Sequence, residues 1–212
     1  MQIFTEYRSE LFLKKYGIKV SKSYLTNNAE KALELSRKMK FPVAIKIMSP
    51  DILHKTEAGA IIVCRNEVDI LTGYETLLNI VKKRKVKLEG ILIQEYLTGN
   101  EIIIGIKKDE TFGHVILFGI GGIYTEVLKD ISFRSCPVSK KEALKMIEEI
   151  KNIKILEGYR TQKPVDKIVL SSIISTISKI PLKNKTISEL DINPLIANGK
   201  SIIVVDARMI LD

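Results

Sequence analysis

Several features are scarce in this sequence, and each scarcity excludes a class of protein. No apolar run approaches the roughly 20 residues that a helix needs to cross a bilayer, so we predict no membrane span. The two cysteines, Cys64 and Cys136, have neither the spacing of metal ligands nor the number that a disulfide framework needs. The first ten residues lack a basic stretch followed by an apolar one, so we expect no signal peptide and a cytoplasmic protein.

The common phosphate-binding motifs are also missing. The P-loop pattern G-x-x-x-x-G-K-[ST] occurs nowhere, and the glycine-rich stretch Gly119–Gly122 lacks the rest of a dinucleotide-binding fingerprint. The formal net charge of +9 suits nucleotides, nucleic acid or an acidic protein partner. The densest basic run, Lys82–Lys85, falls at the end of a predicted helix and has no interleaved aromatic residues, so we expect no nucleic-acid binding.

Hydrophobic periodicity predicts a protein of mixed helix and strand. Helices are predicted at 6–16, 28–39, 68–85, from 139 and at 165–180, and strands at 43–48, 60–64, 90–97, 101–107, 114–118, 186–192, 195–197 and 201–205. Helices and strands alternate early in the chain, whereas consecutive strands joined by short turns dominate later. We therefore expect an α/β lobe at 1–90 and an antiparallel-rich α+β lobe at 91–212, with a ligand cleft between them.

A lysine and a histidine that lie close together in the first lobe indicate phosphate chemistry. Lys46 stands in the middle of the apolar strand 43–48, and a charged amine is almost never fully buried without a partner. One interpretation is an edge-strand lysine whose amine reaches water; the other is a cation for nucleotide phosphates. His54 is one of only two histidines and lies in the loop that follows, where an imidazole is able to receive a phosphoryl group.

A second group of polar residues lies near the end of the chain. Alternation along an extended strand puts Glu189, Asp191 and Asn193 on one face, and Asp206 and Arg208 share a face in the same way. Carboxylate and amide oxygens suit Mg²⁺, which takes hard oxygen ligands and usually keeps waters and nucleotide phosphates. An arginine beside them would offset phosphate charge. Combined, these residues predict a magnesium and phosphate site.

The segment Gln94–Leu97 ends a predicted strand close to the boundary between the two lobes. Adenine is often bound by backbone donors and acceptors on such a connection. Composition alone gives this segment no further signature.

Taken in order, these segments resemble the ATP-grasp family, and most closely the β subunits of ADP-forming acetyl-CoA synthetases, also called acetate–CoA ligases. The runs Ser49–Lys55 and Gly121–Asp130 are specific to that branch. The other segments that carry the resemblance are 41–46, 94–95, 118–134, 190–194 and 205–208. The resemblance covers nearly the whole chain and implies an ATP-grasp fold, with two lobes and a nucleotide cleft between them.

The resemblance implies a reversible ligase reaction in which this chain is the nucleotide-binding subunit. A partner α subunit, which carries the CoA-binding domain, would convert acyl-CoA and phosphate into CoA and an acyl phosphate, and would then hold the phosphoryl group on its own histidine. His54 would receive that group and pass it to ADP in the presence of Mg²⁺. The implied assembly is α₂β₂, with no nucleic acid and no membrane partner.

The resemblance also implies roles for individual residues. In catalysis, His54 would carry the phosphoryl group and Glu126 would orient it. The other implied roles concern the nucleotide and its metal, and they fall on Lys46 and Arg208 for the phosphates, on Glu95, Tyr96 and Leu97 for adenine, and on Asn193 and Asp206 for Mg²⁺.

Two other functions stay open on the sequence. A succinyl-CoA synthetase-like β subunit shares the architecture and similar metal residues, but no loop phosphate acceptor equivalent to His54 is expected in it. A non-catalytic nucleotide-binding regulatory module should have lost His54 or the metal residues. Two departures from the family pattern stand out, since Thr161 replaces a common glycine and His114 has no family role and is expected to be exposed.

Overall fold

The computed structural model describes residues 1–52, 55–122, 129–158 and 163–212. Its strands are β1 (Gln2–Phe4), β2 (Ser23–Thr26), β3 (Val43–Met48), β4 (Ile61–Cys64), β5 (Gly90–Glu95), β6 (Asn100–Asp109), β7 (Gly113–Ile120), β8 (Ile131–Ser135), β9 (Ile187–Asn198), β10 (Ser201–Val204) and β11 (Ala207–Leu211). Its helices are α1 (Glu6–Lys14), α2 (Ala29–Arg37), α3 (Glu67–Arg84), α4 (Lys140–Glu148), α5 (Lys167–Ser178) and α6 (Ile180–Lys183), with a 3₁₀ turn at Ile153–Glu157. Within these ranges, no helix combines the length and the apolar character that crossing a membrane requires.

The chain forms two compact units. The small unit is 21–97, and the large unit combines 1–20 with 98–212. This division differs from the lobes expected at 1–90 and 91–212. Strand β1 pairs with β11, which brings the first residues into the large unit, and β5 lies between β2 and β3 in the sheet of the small unit.

The small unit is a four-stranded antiparallel sheet with helices α2 and α3 packed on it. The strand order is β2-β5-β3-β4, so β3 and β5 are the inner strands. All six residues of β3 are buried, as its continuous apolar sequence predicts. The side chain of Asn28 caps α2 by accepting the amide of Lys31 at 2.8 Å. Gly73 lets α3 approach β3 closely, because a Cβ there would lie 2.8 Å from the side chain of Ile45.

The large unit is a seven-stranded sheet in the order β1-β11-β9-β6-β7-β8, with β10 pairing β9. All these pairings are antiparallel. One face is apolar and packs with the helices of this unit in a single core that includes Ile104, Phe118 and Ile192. The opposite face, here called the second face, carries Gly105, Lys107, Leu117, Asp191 and Arg208, which the strand registers place side by side.

Some local predictions need correction. The expected strands 186–192 and 195–197 are one continuous strand, β9. His114 is only partly exposed, and its Nε2 lies 2.7 Å from the carbonyl oxygen of Ile187, so it holds two strands together. Ser139 and Glu142 have the sequence spacing of a capping box at the start of the helix predicted from 139, but only half of the box forms. The Ser139 hydroxyl accepts the amide of Glu142 at 3.1 Å, but the carboxylate of Glu142 binds Arg134 at 2.7 Å instead of reaching back.

Candidate nucleotide and metal site

Lys46 lies on an inner strand of the small sheet. It is paired with Leu92 of β5 on one side and Ile61 of β4 on the other, and only 4% of its surface is exposed. The interpretation of an edge lysine that reaches water is therefore wrong. A lysine held in this way is a fixed, largely desolvated point charge, which is the form of cation that binds phosphate strongly.

The loop between β3 and β4 is anchored at both ends. On the β3 side, the Ser49 hydroxyl accepts the amide of Asp51 at 3.2 Å, and the Asp51 carboxylate accepts the amide of Lys87 at 2.7 Å. On the β4 side, the carbonyl of Lys55 accepts the amide of Ala60 at 2.8 Å. His54 itself lies outside the described residues, so the structure fixes the two ends of its loop and not its imidazole.

The segment predicted to hold adenine ends the small unit. Gln94 is fully buried and its amide donates to the Ser21 hydroxyl at 2.7 Å. The carboxylate of Glu95 accepts the backbone amide of Lys22 at 2.7 Å. Tyr96 is 46% exposed. The Glu95 side chain thus has a structural partner that the sequence did not reveal, because the pairing with Lys22 depends on β2, a strand that the sequence did not predict.

Asn193 and Asp206 are neighbours across the end of the β9–β11 pair. The amide of Asn193 donates to the carbonyl of Asp206 at 3.1 Å. Burial alternates along β9, with Leu190 and Ile192 buried and the residues between them more exposed. The predicted shared face of Glu189, Asp191 and Asn193 is therefore confirmed.

Arg208 lies directly opposite Asp191 on the second face. Its guanidinium donates to the carboxylate of Glu189 at 2.8 Å, a diagonal contact across the same strand pair. The Nε atom of Arg208 is buried and has no hydrogen-bond partner among the described residues. Sequence reasoning placed Glu189 on this face but gave it no role, since only the register of β11 against β9 shows that Arg208 reaches it.

A groove of about 520 Å³ runs along the second face beside Arg208. Its lining residues are 105–109, 115, 117, 133 and 189–191. Gly105, opposite Asp191, leaves the floor open, because a Cβ there would meet only Leu117 at 3.8 Å. Phe133 is 52% exposed and forms an apolar wall. Glu189 and Asp191, which belong to the predicted magnesium and phosphate group, line the groove, and Arg208 contacts the first and lies opposite the second.

The donor set at Asn193 and Asp206 fits Mg²⁺. In the ranges that the structure describes, no three His, Cys, Asp or Glu side chains are grouped so that they could hold a metal by themselves. Mg²⁺ typically uses only one or two protein oxygens and completes its shell with water and substrate phosphates. The carboxylate of Asp206 and the amide oxygen of Asn193, at adjacent strand ends, match this mode of Mg²⁺ coordination.

Glu126 and the altered loop at Arg160 and Thr161 also lie outside the described residues. Asp130, the last residue of the run Gly121–Asp130, is described and is buried. Its carboxylate accepts the amides of Lys151 and Asn152 at 2.9 and 2.8 Å and the Asn152 side chain at 2.9 Å. Burial tends to raise the pKa of Asp130, but these donors outweigh it and hold the pKa below its ordinary value.

Comparison with known protein families shows the family to which this chain belongs. A model described as an ATP-grasp domain matches residues 1–211. The chain belongs to the ATP-grasp family. The ATP-grasp fold that the sequence resemblance implied is thereby confirmed, and the inner-strand lysine and the polar ends of β9 and β11 are features of this ATP-grasp chain.

Curated relatives show which part of the ATP-grasp family this chain resembles. The β subunit of acetate–CoA ligase [ADP-forming] I from Pyrococcus furiosus is 41% identical over 203 residues, which are 94% of this chain and 88% of that subunit. Several other curated relatives are longer proteins, such as acetate–CoA ligase [ADP-forming] I from Archaeoglobus fulgidus, and the chain spans about 30% of their length. The predicted similarity to β subunits of this ligase is confirmed.

Two solved structures are similar to this chain over all or nearly all of its length. One is the dinucleotide forming acetyl-coenzyme A synthetase 1 of Ca. Korarchaeum cryptofilum in complex with coenzyme A, Ca-AMPCP and HgCl+. It has a TM-score of 0.95 and 38% identity, and the match covers 100% of this chain and 94% of that one. A second complex of that protein, with coenzyme A and Mg-AMPPCP, is described as having its phosphohistidine segment pointing towards the nucleotide-binding site. It has a TM-score of 0.84 and 36% identity, and covers 99% of this chain and 93% of that one.

Proposed function

We propose that this chain is the nucleotide-binding β subunit of an ADP-forming acyl-CoA synthetase. In the direction of ATP synthesis, acyl-CoA, phosphate and ADP give the free acid, CoA and ATP. The observation that carries the proposal is the match, over nearly the full length of both chains, to a separate β subunit of acetate–CoA ligase. The desolvated Lys46 on an inner strand supports it, because a phosphate-binding role explains a cation in that position.

In this proposal His54 carries the phosphoryl group. In the first step an imidazole nitrogen forms a bond to phosphorus while the bond to the donor on the α subunit breaks. In the second step a terminal oxygen of ADP attacks phosphorus and the imidazole leaves. A neutral imidazole is nucleophilic near pH 7 and a phosphoramidate is a reactive donor, so the steps are reversible. Glu126 orients His54 in this scheme.

Five residues are assigned to the nucleotide in this proposal. Lys46 and Arg208 bind its phosphates, and Glu95, Tyr96 and Leu97 border its adenine. Asn193 and Asp206 would hold Mg²⁺, which would supply positive charge to neutralise the nucleotide phosphates. The Korarchaeum complexes contain nucleotide analogues together with calcium or magnesium, Ca-AMPCP in one and Mg-AMPPCP in the other. They support this assignment by similarity.

The proposal includes a partner. A separate α subunit supplies the CoA-binding domain and the acyl phosphate chemistry, and we expect an α₂β₂ assembly. Recognition of the acid then resides mainly in the partner, which agrees with the range of acids named among the longer relatives, from acetate to 4-hydroxybutyrate.

Reconstitution tests the proposal. The chain is combined with its α subunit, and ATP formation from acyl-CoA, phosphate and ADP is measured for the unmodified protein and for His54→Asn. We expect the variant to bind ADP normally and to lose ATP synthesis. Full ATP synthesis by His54→Asn would refute the phosphohistidine route.

A further inference from the structure

Glu95 makes two hydrogen bonds of different kinds to one residue. Its backbone amide donates to the carbonyl of Lys22 at 3.0 Å, and its carboxylate accepts the backbone amide of Lys22 at 2.7 Å. In a regular antiparallel rung, paired residues exchange both bonds through their main chains. Here the side chain of Glu95 replaces its own carbonyl as the acceptor of the returning bond.

This rung closes the ladder at the place where the small unit begins and ends. The regular β2–β5 register ends at the pair Ser23 and Gln94, so Lys22 and Glu95 form the next rung. The small unit begins at Ser21 and ends at Leu97. The carboxylate of Glu95 therefore joins the first residues of the unit to its last ones.

Two neighbouring contacts fix the same rung. Gln94 donates to Ser21 at 2.7 Å, and both residues are fully buried. The Lys22 amine donates to the carbonyl of Lys38, which follows α2, at 3.2 Å. The segment Ser21–Lys22, which Glu95 contacts, is thus attached both to the sheet and to the end of a helix. Its position is therefore fixed, and it can fix the backbone of the residues that follow Glu95.

We propose that Glu95 is a positioning residue, whose carboxylate sets the course of residues 95–97 by binding the Lys22 amide and does not read the nucleotide base. This inference rests on the proposed function, in which residues 95–97 border adenine. The reason is geometric, because one carboxylate oxygen already accepts the backbone amide of Lys22 in place of the main-chain carbonyl of Glu95. Base discrimination then comes from groups other than this carboxylate.

A pair of variants separates the two roles. Glu95→Gln keeps a side-chain oxygen that accepts the Lys22 amide, whereas Glu95→Ala removes it. Glu75→Ala, which removes an exposed acid of α3, is the matched control. Two quantities are measured on the whole chain: hydrogen exchange at the Lys22 amide without nucleotide, and the Kd values for ADP and GDP.

We expect Glu75→Ala to match the unmodified chain in both quantities within about twofold. For Glu95→Gln we expect slow exchange at Lys22, as in the unmodified chain, and an unchanged ratio of ADP to GDP affinity. For Glu95→Ala we expect exchange at Lys22 to be about tenfold faster, since a lost hydrogen bond of about 1.4 kcal/mol corresponds to a factor of ten. ADP and GDP affinities should fall together by about threefold to tenfold, so that their ratio is unchanged.

Two results would overturn the inference. One is slow exchange at Lys22 in Glu95→Ala, which would mean that the carboxylate does not hold the rung. The other is a changed ADP-to-GDP ratio in Glu95→Gln, which would mean that the carboxylate contacts the base. If the unmodified chain bound no nucleotide, the proposed function would fail, but the exchange experiment would still decide the role of Glu95 in the rung.

Discussion

The two units of this protein place the residues predicted to bind phosphate and metal in opposite ways. The small unit holds Lys46 inside its sheet, on an inner strand in which every residue is buried. In the large unit, Asn193, Asp206 and Arg208 lie at the surface of the sheet. Arg208 forms an ion pair with Glu189. A buried charge is fixed by the strand that carries it, whereas a surface charge depends on its neighbours. We therefore expect mutations to have larger effects in the small unit.

The largest expected effect is that of Lys46→Met. This change keeps much of the side-chain length and removes the charge. Hydrogen bonds to charged groups contribute about 1.5–3 kcal/mol, so ADP should bind about 10- to 100-fold more weakly. Isothermal titration measures this loss, and a thermal melt shows whether the variant is folded.

Lys40→Met is the matched control, because Lys40 is an exposed lysine of the same unit. It should bind ADP like the unmodified chain. An equal loss in both variants would mean that nucleotide binding depends on overall charge and not on the position of Lys46.

Asp206→Asn should have the next largest effect, and it should act on the metal. Removing one negative ligand weakens the attraction for Mg²⁺, and we expect the Mg²⁺ concentration for half-maximal nucleotide binding to rise about tenfold, on the order of 1.4 kcal/mol. Glu110→Gln, at an exposed turn of the large unit, should leave that concentration unchanged. If both variants behaved alike, Asp206 would not be a metal ligand.

The ion pair of Arg208 should give a smaller effect. Arg208→Lys keeps the charge but loses the planar donor group that reaches Glu189, so we expect ADP affinity to fall about threefold to fivefold. Glu189→Gln keeps an acceptor for Arg208 and should change affinity by less than about threefold, because partly exposed ion pairs contribute at most about 1 kcal/mol. A loss in Glu189→Gln larger than that in Arg208→Lys would contradict this order.

Asp130→Asn should not change nucleotide affinity at all, but it should change stability in a pH-dependent way. The pKa of Asp130 is lowered in the folded protein, so its contribution is fully present above the ordinary value of 3.8 and is lost as pH falls through the lowered value. At neutral pH we expect the variant to be about 1–3 kcal/mol less stable to urea. The difference should disappear at strongly acidic pH; a constant difference would show that Asp130 is not the titrating group.

Local signals in the sequence predicted the elements that matter most for the site. The run 43–48 is continuously apolar apart from Lys46, and the structure has β3 at those residues. Alternation was sufficient to place Glu189, Asp191 and Asn193 on one face, because it depends only on the pleat of one strand.

Features that depend on pairing between distant segments could not be predicted. The sequence predicted two strands, 186–192 and 195–197, but β9 continues through Pro194 because its neighbour β6 pairs with it both before and after that residue. The contact of Arg208 with Glu189 requires the register of β11, and the contact of Glu95 with Lys22 requires β2. No short-range pattern in the sequence encodes either of them.

The most direct test of the account is to label the protein with phosphate. The chain, assembled with its α subunit, is incubated with Mg²⁺ and [γ-³²P]ATP, and the labelled β subunit is treated with acid and with alkali. We predict a label that is labile to acid and stable to alkali, and that is absent in His54→Asn. An equal label on the His54→Asn β subunit, or none on an unmodified β subunit that binds nucleotide, would contradict the account.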